Sequence, residues 1–243
     1  DRRWMLIDDN NRFLSQREIA KMALLKVGIN QNELSVSYLP GNTLINIPLK
    51  PLKQDFVTVE IWDDTCTGQL VSDAVDEWFT TILGINCRLV YMPDETNRFT
   101  DPMYATEDSI TSFSDGYPFL IIGQSSMDEL NSRLNDPLSI NRFRPNIVFT
   151  GGDPFHEDVM NEFLINEITF NGVKLCARCK ITTIDQNNAI AGKEPLKTLA
   201  KYRLKNNKIF FGQNLIHYGI GTITVGDQLI VKSTHTEDRF IIS

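Results

Sequence analysis

Apolar residues along this chain fall mostly in short, strand-length runs separated by turn-forming pairs; only a few stretches carry helical spacing. Residues 3–8 (R-W-M-L-I-D) read as a strand, Asp8-Asp9-Asn10-Asn11 as a turn, and Phe13 and Leu14 as the return of a hairpin. Ser15 and Glu18 have capping-box spacing ahead of a helical run at 19–25. Strands follow at 33–39, 43–47 and 56–62, with Pro40-Gly41-Asn42 turning the first into the second. Residues 70–83 have a helical period: Leu70, Ala74, Trp78 and Ile82 share one face, widened by Val75 and Phe79, opposite Asp73, Asp76 and Glu77. That face reads as core packing.

A strand at 87–92 leads into 93–111, a polar stretch without periodicity. A loop of that length in a compact domain is expected to be functional or mobile, here an active-site flap. Asp115-Gly116 is a turn, 119–122 a buried strand and 126–134 a helix. Beyond Asp136-Pro137, strands are predicted at 146–150, 166–170, 173–184, 209–216, 221–225 and 229–233, with a further one at 240–242. Asn171-Gly172 and Gly226-Asp227 are tight-turn signals, and 194–203 reads as a helix with Pro195 in its first turn. Many strands with short helices predict a mainly β, α+β fold whose second half closes into a barrel, the arrangement that removes exposed sheet edges. The predicted division is 1–105, a β-rich, barrel-like region with an α/β portion, and 106–243, a β-barrel domain.

Composition narrows the function classes. The chain has 243 residues, 42% hydrophobic and 23% charged, enough to bury a substantial core. A net charge of -7 argues against a nucleic-acid partner, which needs a basic surface. No apolar run approaches the roughly 18–20 residues of a membrane span, and no leader is read in the residues given. Four cysteines without a regular pattern suggest a reducing, cytoplasmic setting rather than a disulfide scaffold.

The segment richest in chemistry runs from Arg144 (R-P-N-I-V-F-T-G-G-D-P) to Asp185 (C-A-R-C-K-I-T-T-I-D). Two cysteines three apart have three readings: half a zinc site, a dithiol couple, or one functional thiol beside a structural one. A structural zinc needs four ligands; Cys66 and Cys87 each stand alone, and His156, His217 and His235 lack a ligand spacing. A dithiol couple normally opens a helix, whereas the flanks here are β-formers. In an extended strand Cys176 and Cys179 would face opposite sides, favouring one exposed thiolate beside Arg178, with two buried structural cysteines as the bland alternative. Asp153, Glu157 and Asp158 form an acidic group best read as a turn and a helix start.

The motifs Arg144-Pro145-Asn146, Cys176-x-Arg178-Cys179 and Phe211-Gly212-Gln213-Asn214, with S-D-x-x-P-F-L at 114–120 and the opening D-R-R-W, resemble the MOSC family in its own order over nearly the whole chain. Within it they look most like the reductases of N-hydroxylated compounds. The resemblance implies a MOSC β-barrel at 106–243 behind an N-terminal MOSC-associated domain at 1–105. It implies a molybdenum cofactor of the molybdopterin type, which a purified protein can lack. It makes Cys179 the metal ligand and catalytic residue and puts Asp115 near the metal. It gives Arg2, Arg144, Asn146, Arg178 and Asn214 to cofactor binding, with Arg2 on the phosphate; planar guanidinium groups suit such an anion. Asp115 also reads as a plain turn residue, and Asn214 equally as a partner of turn backbone. The family's upstream Pro-x-Lys-Ser strand precedes the first residue given, so part of the phosphate clamp is expected to be missing from the chain.

The implied activity is reduction of a small N–OH substrate. No iron–sulfur cysteine cluster follows, so electrons would come from a separate donor protein of flavin-reductase, ferredoxin or cytochrome type. A non-catalytic carrier of cofactor or sulfur on Cys179, and a structural barrel with buried cysteines, are the alternatives.

Overall fold

The computed structural model describes residues 2–105 and 108–242. The chain divides into two compact units. One comprises the residues up to Phe99 with Ile110–Asp115 and Ile184–Ala191; the other comprises Thr100–Ser109, Gly116–Thr183 and the residues from Gly192 on. The 93–111 stretch forms no helix or strand among its described residues; 106 and 107 lie outside them.

The first unit is built from β1 (Trp4–Ile7), β2 (Leu25–Ile29), β3 (Glu33–Tyr38), β4 (Thr43–Pro48), β5 (Phe56–Ile61), β6 (Asp64–Leu70), helix α1 (Asp73–Leu83) and β7 (Arg88–Tyr91). Two antiparallel sheets result, ordered β1-β7-β6-β5 and β2-β3-β4. Ser72 caps α1, its Oγ accepting from Val75 N at 3.3 Å, and Asp73 and Asp76 occupy the positive end of the helix. The helix buries Val75, Phe79 and Leu83, with Trp78 and Ile82 flanking. The buried stripe is therefore centred one position later than the face predicted on Ala74, which is exposed. Asp76 Oδ1 accepts Leu89 N at 2.7 Å and ties the helix to β7. The run at 19–25 forms a short 3-10 helix, Ala20–Leu24, and then turns directly into β2.

The second unit contains β8 (Phe119–Gly123), α2 (Gln124–Ser132), β9 (Ile147–Phe149), β10 (Met160–Ile165), β11 (Ile168–Ala177), α3 (Leu196–Leu199), β12 (Leu204–Lys205), β13 (Lys208–Tyr218) and β14 (Leu229–Thr234). Its seven-stranded sheet runs β14-β10-β11-β13-β8-β9, with β12 beside β13; only the β8–β9 pair is parallel. The fold is mainly β with a few short helices, as expected. No helix among the described residues is long and apolar enough to cross a membrane.

Several elements differ from expectation. The predicted strands at 166–170 and 173–184 are one strand, β11, which stops at Ala177 and gives way to a 3-10 turn at Lys180–Thr183. Residues 221–225 form no strand, and the predicted helix at 194–203 shortens to α3. The turn signal Asn171-Gly172 lies inside β11; the hairpin turn is at Asn166, whose φ is 54°. Gly172 is there for space. A Cβ at this position would lie 2.1 Å from Gln213 Oε1 and 2.2 Å from the backbone oxygen of Met160. Because the second of these is main chain in the neighbouring strand β10, no side-chain movement relieves it. Gly172→Ala is expected to destabilise the protein by about 3 kcal/mol, the upper part of the overpacking range. Urea unfolding checks this, and a loss near zero would contradict the packing described.

Candidate functional site

In the second unit the site is assembled around one guanidinium. Arg178 follows the end of β11, and its backbone N–H donates to Ile209 O at 2.7 Å. Its side chain donates through Nε to Phe211 O at 2.7 Å and through Nη1 to Phe143 O at 3.1 Å, and lies 5.2 Å over the Phe143 ring. Phe143 immediately precedes Arg144, and Phe211 immediately precedes Gly212. The three motifs R-P-N, C-x-R-C and F-G-Q-N, far apart in sequence, thus meet at Arg178. The remaining nitrogen, Nη2, is buried without a hydrogen-bond partner among the described residues. Beside it Gly212 has φ 80°, and a Cβ there would sit 2.8 Å from Ile122 Cγ1, 2.9 Å from Ile121 O and 3.3 Å from Nη2. A buried cationic donor with an unmet hydrogen is costly unless an acceptor reaches it, which is what an anionic or carbonyl-bearing cofactor provides.

Arg144 sits just past the 3-10 turn Ile140–Phe143 in the left-handed region, φ 56°, with an exposed side chain. A non-glycine residue there is uncommon and is held by its surroundings; Arg144 N donates to Asn141 O at 3.2 Å. Asn146 exchanges two hydrogen bonds with Leu120 of β8: Asn146 N donates to Leu120 O at 2.9 Å, and Leu120 N donates to Asn146 Oδ1 at 3.0 Å. Asn214 of β13 lies opposite Leu120, and its Nδ2 donates to Lys174 O of β11 at 3.1 Å. Each asparagine therefore commits one side-chain atom to strand backbone; Asn214 bonds a strand rather than a turn.

Cys179 is half-buried and takes part in no disulfide. Its carbonyl accepts from Thr182 N at 3.2 Å and Thr182 Oγ1 at 3.0 Å, which starts the 3-10 turn after β11. Cys176 lies on β11 and packs against the cluster containing Leu120, Ile122, Phe143 and Phe211. The two cysteines thus differ because the strand ends between them, not because they alternate along one strand. Among the described residues no three His, Cys, Asp or Glu side chains gather as a metal site.

In the first unit Arg2, also left-handed at φ 51°, lies 3.9 Å through Nη1 from Asp115 Oδ1. The other carboxylate oxygen is 3.8 Å from Arg17 Nη2, and the Arg17 guanidinium stacks 4.1 Å over the Trp62 ring. Asp115 is 66% exposed, so these ion pairs contribute little to stability. Arg17 carried no sequence signal, since only tertiary structure brings it to Asp115. The acidic group at 153–158 is structural: Glu157 accepts from Ser126 Oγ at 2.7 Å, and buried Asp158 pairs with buried Arg203.

Residues 108–230 match the MOSC domain and residues 1–86 the MOSC N-terminal beta barrel domain. The chain belongs to the MOSC family. Among MOSC relatives, mitochondrial amidoxime-reducing component 1 of Mus musculus is 30% identical over 241 residues, covering 93% of this chain and 71% of the relative. The Homo sapiens protein of the same name is 30% identical over 243 residues, with 93% and 71% covered. Molybdenum cofactor sulfurase of Oryza sativa subsp. japonica is 30% identical over 234 residues, covering 87% of this chain but 28% of that relative. The landmarks of this MOSC chain that meet at Arg178 are the same three that carry the family resemblance.

Proposed function

We propose that this chain binds a molybdenum cofactor and reduces N-hydroxylated compounds to the parent N–H compounds. The observation that carries the reading is the half-buried guanidinium of Arg178, whose Nη2 is buried without a partner among the described residues and which ties the Cys-x-Arg-Cys motif to Phe143 and Phe211 beside the other two. Arg178 and Arg144 hold the anionic pterin, with Asn146 and Asn214 fixing the strands beside them. Arg2 takes the phosphate. Cys179 is the protein's ligand to the metal. Asp115 orients the substrate or passes it a proton. When bound, the cofactor supplies two-electron removal of the oxygen from the N–OH group. The balance requires two electrons and two protons per substrate and yields the N–H compound and water. In this reading the electrons come from a separate donor protein of flavin, ferredoxin or cytochrome type, since the four cysteines of these residues lack an iron–sulfur spacing. Residues 1–105 and 106–243 are the two functional domains of this reading. A non-catalytic carrier of cofactor or sulfur, with Cys179 as the acceptor, is the second reading.

Cofactor-loaded protein supplied with a chemical reductant is expected to convert benzamidoxime to benzamidine, followed by chromatography. Loaded protein that leaves the amidoxime intact while retaining its pterin would instead favour the carrier.

A further inference from the structure

We infer that Arg98 is a positioning residue that fixes both Asp115 and Arg2. The inference rests on the roles proposed for those two residues. Arg98 lies in the polar stretch at 93–111, yet it is 4% exposed. Its charge is met by Asp64, whose Oδ2 lies 2.9 Å from Nε and 2.8 Å from Nη2. Among the described residues its other side-chain hydrogen bonds go to one short segment: Nη1 donates to Ser112 O at 2.9 Å and Ser114 O at 2.6 Å, and Nη2 to Asp115 O at 3.3 Å. Its own carbonyl accepts Thr111 N at 2.8 Å.

Residues 112–115 form no helix or strand, so their carbonyls have no ladder to satisfy them and take donors from elsewhere. One guanidinium supplies three of them. The same segment donates Phe113 N to Arg2 O at 3.2 Å, at the residue held in the left-handed region, and carries the carboxylate beside Arg2 and Arg17. Phe113 anchors the segment in the core with Met5, Ile7 and Val59, but an aromatic anchor leaves the carbonyl directions open. The fork of Arg98 sets them, and lysine, a point charge on a flexible stem, has no equivalent geometry. Displacement of a catalytic group by about 1 Å can cost on the order of 100-fold in rate.

The test compares Arg98→Met, Arg98→Lys, Asp115→Asn and the Arg98→Met/Asp115→Asn double variant. All are purified with cofactor and assayed for amide hydrogen exchange, pterin per chain and benzamidoxime reduction per loaded chain. Arg98→Met is expected to accelerate exchange across 112–115 at least about tenfold. It should lower kcat by about 10- to 100-fold with little change in KM, and the double variant should lose no more than the worse single one, because Arg98 acts through Asp115. Arg98→Lys should follow Arg98→Met, and it decides the matter if Arg98→Met does not fold. Unchanged exchange at 112–115, or losses that multiply in the double variant, would overturn the inference. If Asp115→Asn turns over normally, the reading of Asp115 fails instead. Arg98 is then judged through Arg2: faster exchange with lowered pterin content sustains its role, and either quantity unmoved ends it.

Discussion

Cys179→Ala is expected to lower amidoxime reduction by at least about 100-fold, more than changes to residues that only orient a metal's ligands usually cost, while Cys176→Ala keeps most of the activity. The two thiols are three residues apart, but β11 ends between them. Cys176 belongs to the sheet and fills a gap beside Phe143 and Phe211, so its loss costs about 1 kcal/mol of packing. Cys179 sits at the start of a 3-10 turn, its carbonyl held by Thr182 and its thiol on no strand face. Pterin should survive the Cys179 substitution, because the arginines proposed to hold the anionic group are separate side chains. Metal analysis, pterin fluorescence and turnover on the same preparations separate these effects. Equal losses in both variants would mean that the thiols act as a pair; no loss in either would remove Cys179 from the metal.

Arg203→Met should destabilise the protein by about 3–5 kcal/mol at pH 8, the range for stranding a buried charge, and by clearly less at pH 5. Arg203 and Asp158 are both buried in the second unit. Burial pushes the Asp158 carboxyl up to about 7, against the opposing pull of Arg203, and loss of that pull raises it further. The unfolded chain titrates the same carboxyl near its ordinary value of about 4. Between those two values the folded state holds the proton that the unfolded state releases. This group's contribution therefore favours folding at low pH and is lost as pH rises through the folded value. At pH 5 the variant buries a neutral acid at little cost in proton binding, whereas at pH 8 it either keeps a proton that the unfolded chain has released or buries an uncompensated anion, and both destabilise the fold. Urea unfolding at both pH values measures the difference, and Asp158→Asn in the same background should abolish it. A loss independent of pH would show that Arg203 acts through packing alone.

What was legible in the sequence followed its local character. The period of α1, the strands β1, β3, β4 and β5, and the motifs around Arg144, Cys179 and Gly212 are all short-range signals. β6 reads D-T-C-T-G-Q-L, in which Asp64 and Gly68 dilute the β-forming Thr65 and Thr67, and its pairing with β5 and β7 makes it a strand. β10 begins at Met160, directly after the single 3-10 turn His156–Val159 that holds Glu157 and Asp158, so the acidic helix start expected there is present but gives no sign of the strand behind it. β11 was drawn too long because Ile181, Thr182, Thr183 and Ile184 are strong β-formers; the side-chain bonds of Thr182 and Thr183 to Cys179 O and Lys180 O curl them into a turn instead. Arg17 and Arg98 were invisible for a different reason. Each meets its partners only across the fold, and a lone arginine in a polar run carries no period or spacing to mark it.

The grip of Arg178 on Phe143 and Phe211 has a consequence for how such a chain can drift over generations. Both acceptors are main-chain oxygens, present whatever residue occupies those positions. The rings at 143 and 211, tilted at 33° with centroids 4.4 Å apart, can therefore be exchanged for other bulky apolar residues as a pair without losing either hydrogen bond. The arginine has no such freedom, because no other side chain spans two carbonyls of separate segments and keeps a third arm to spare.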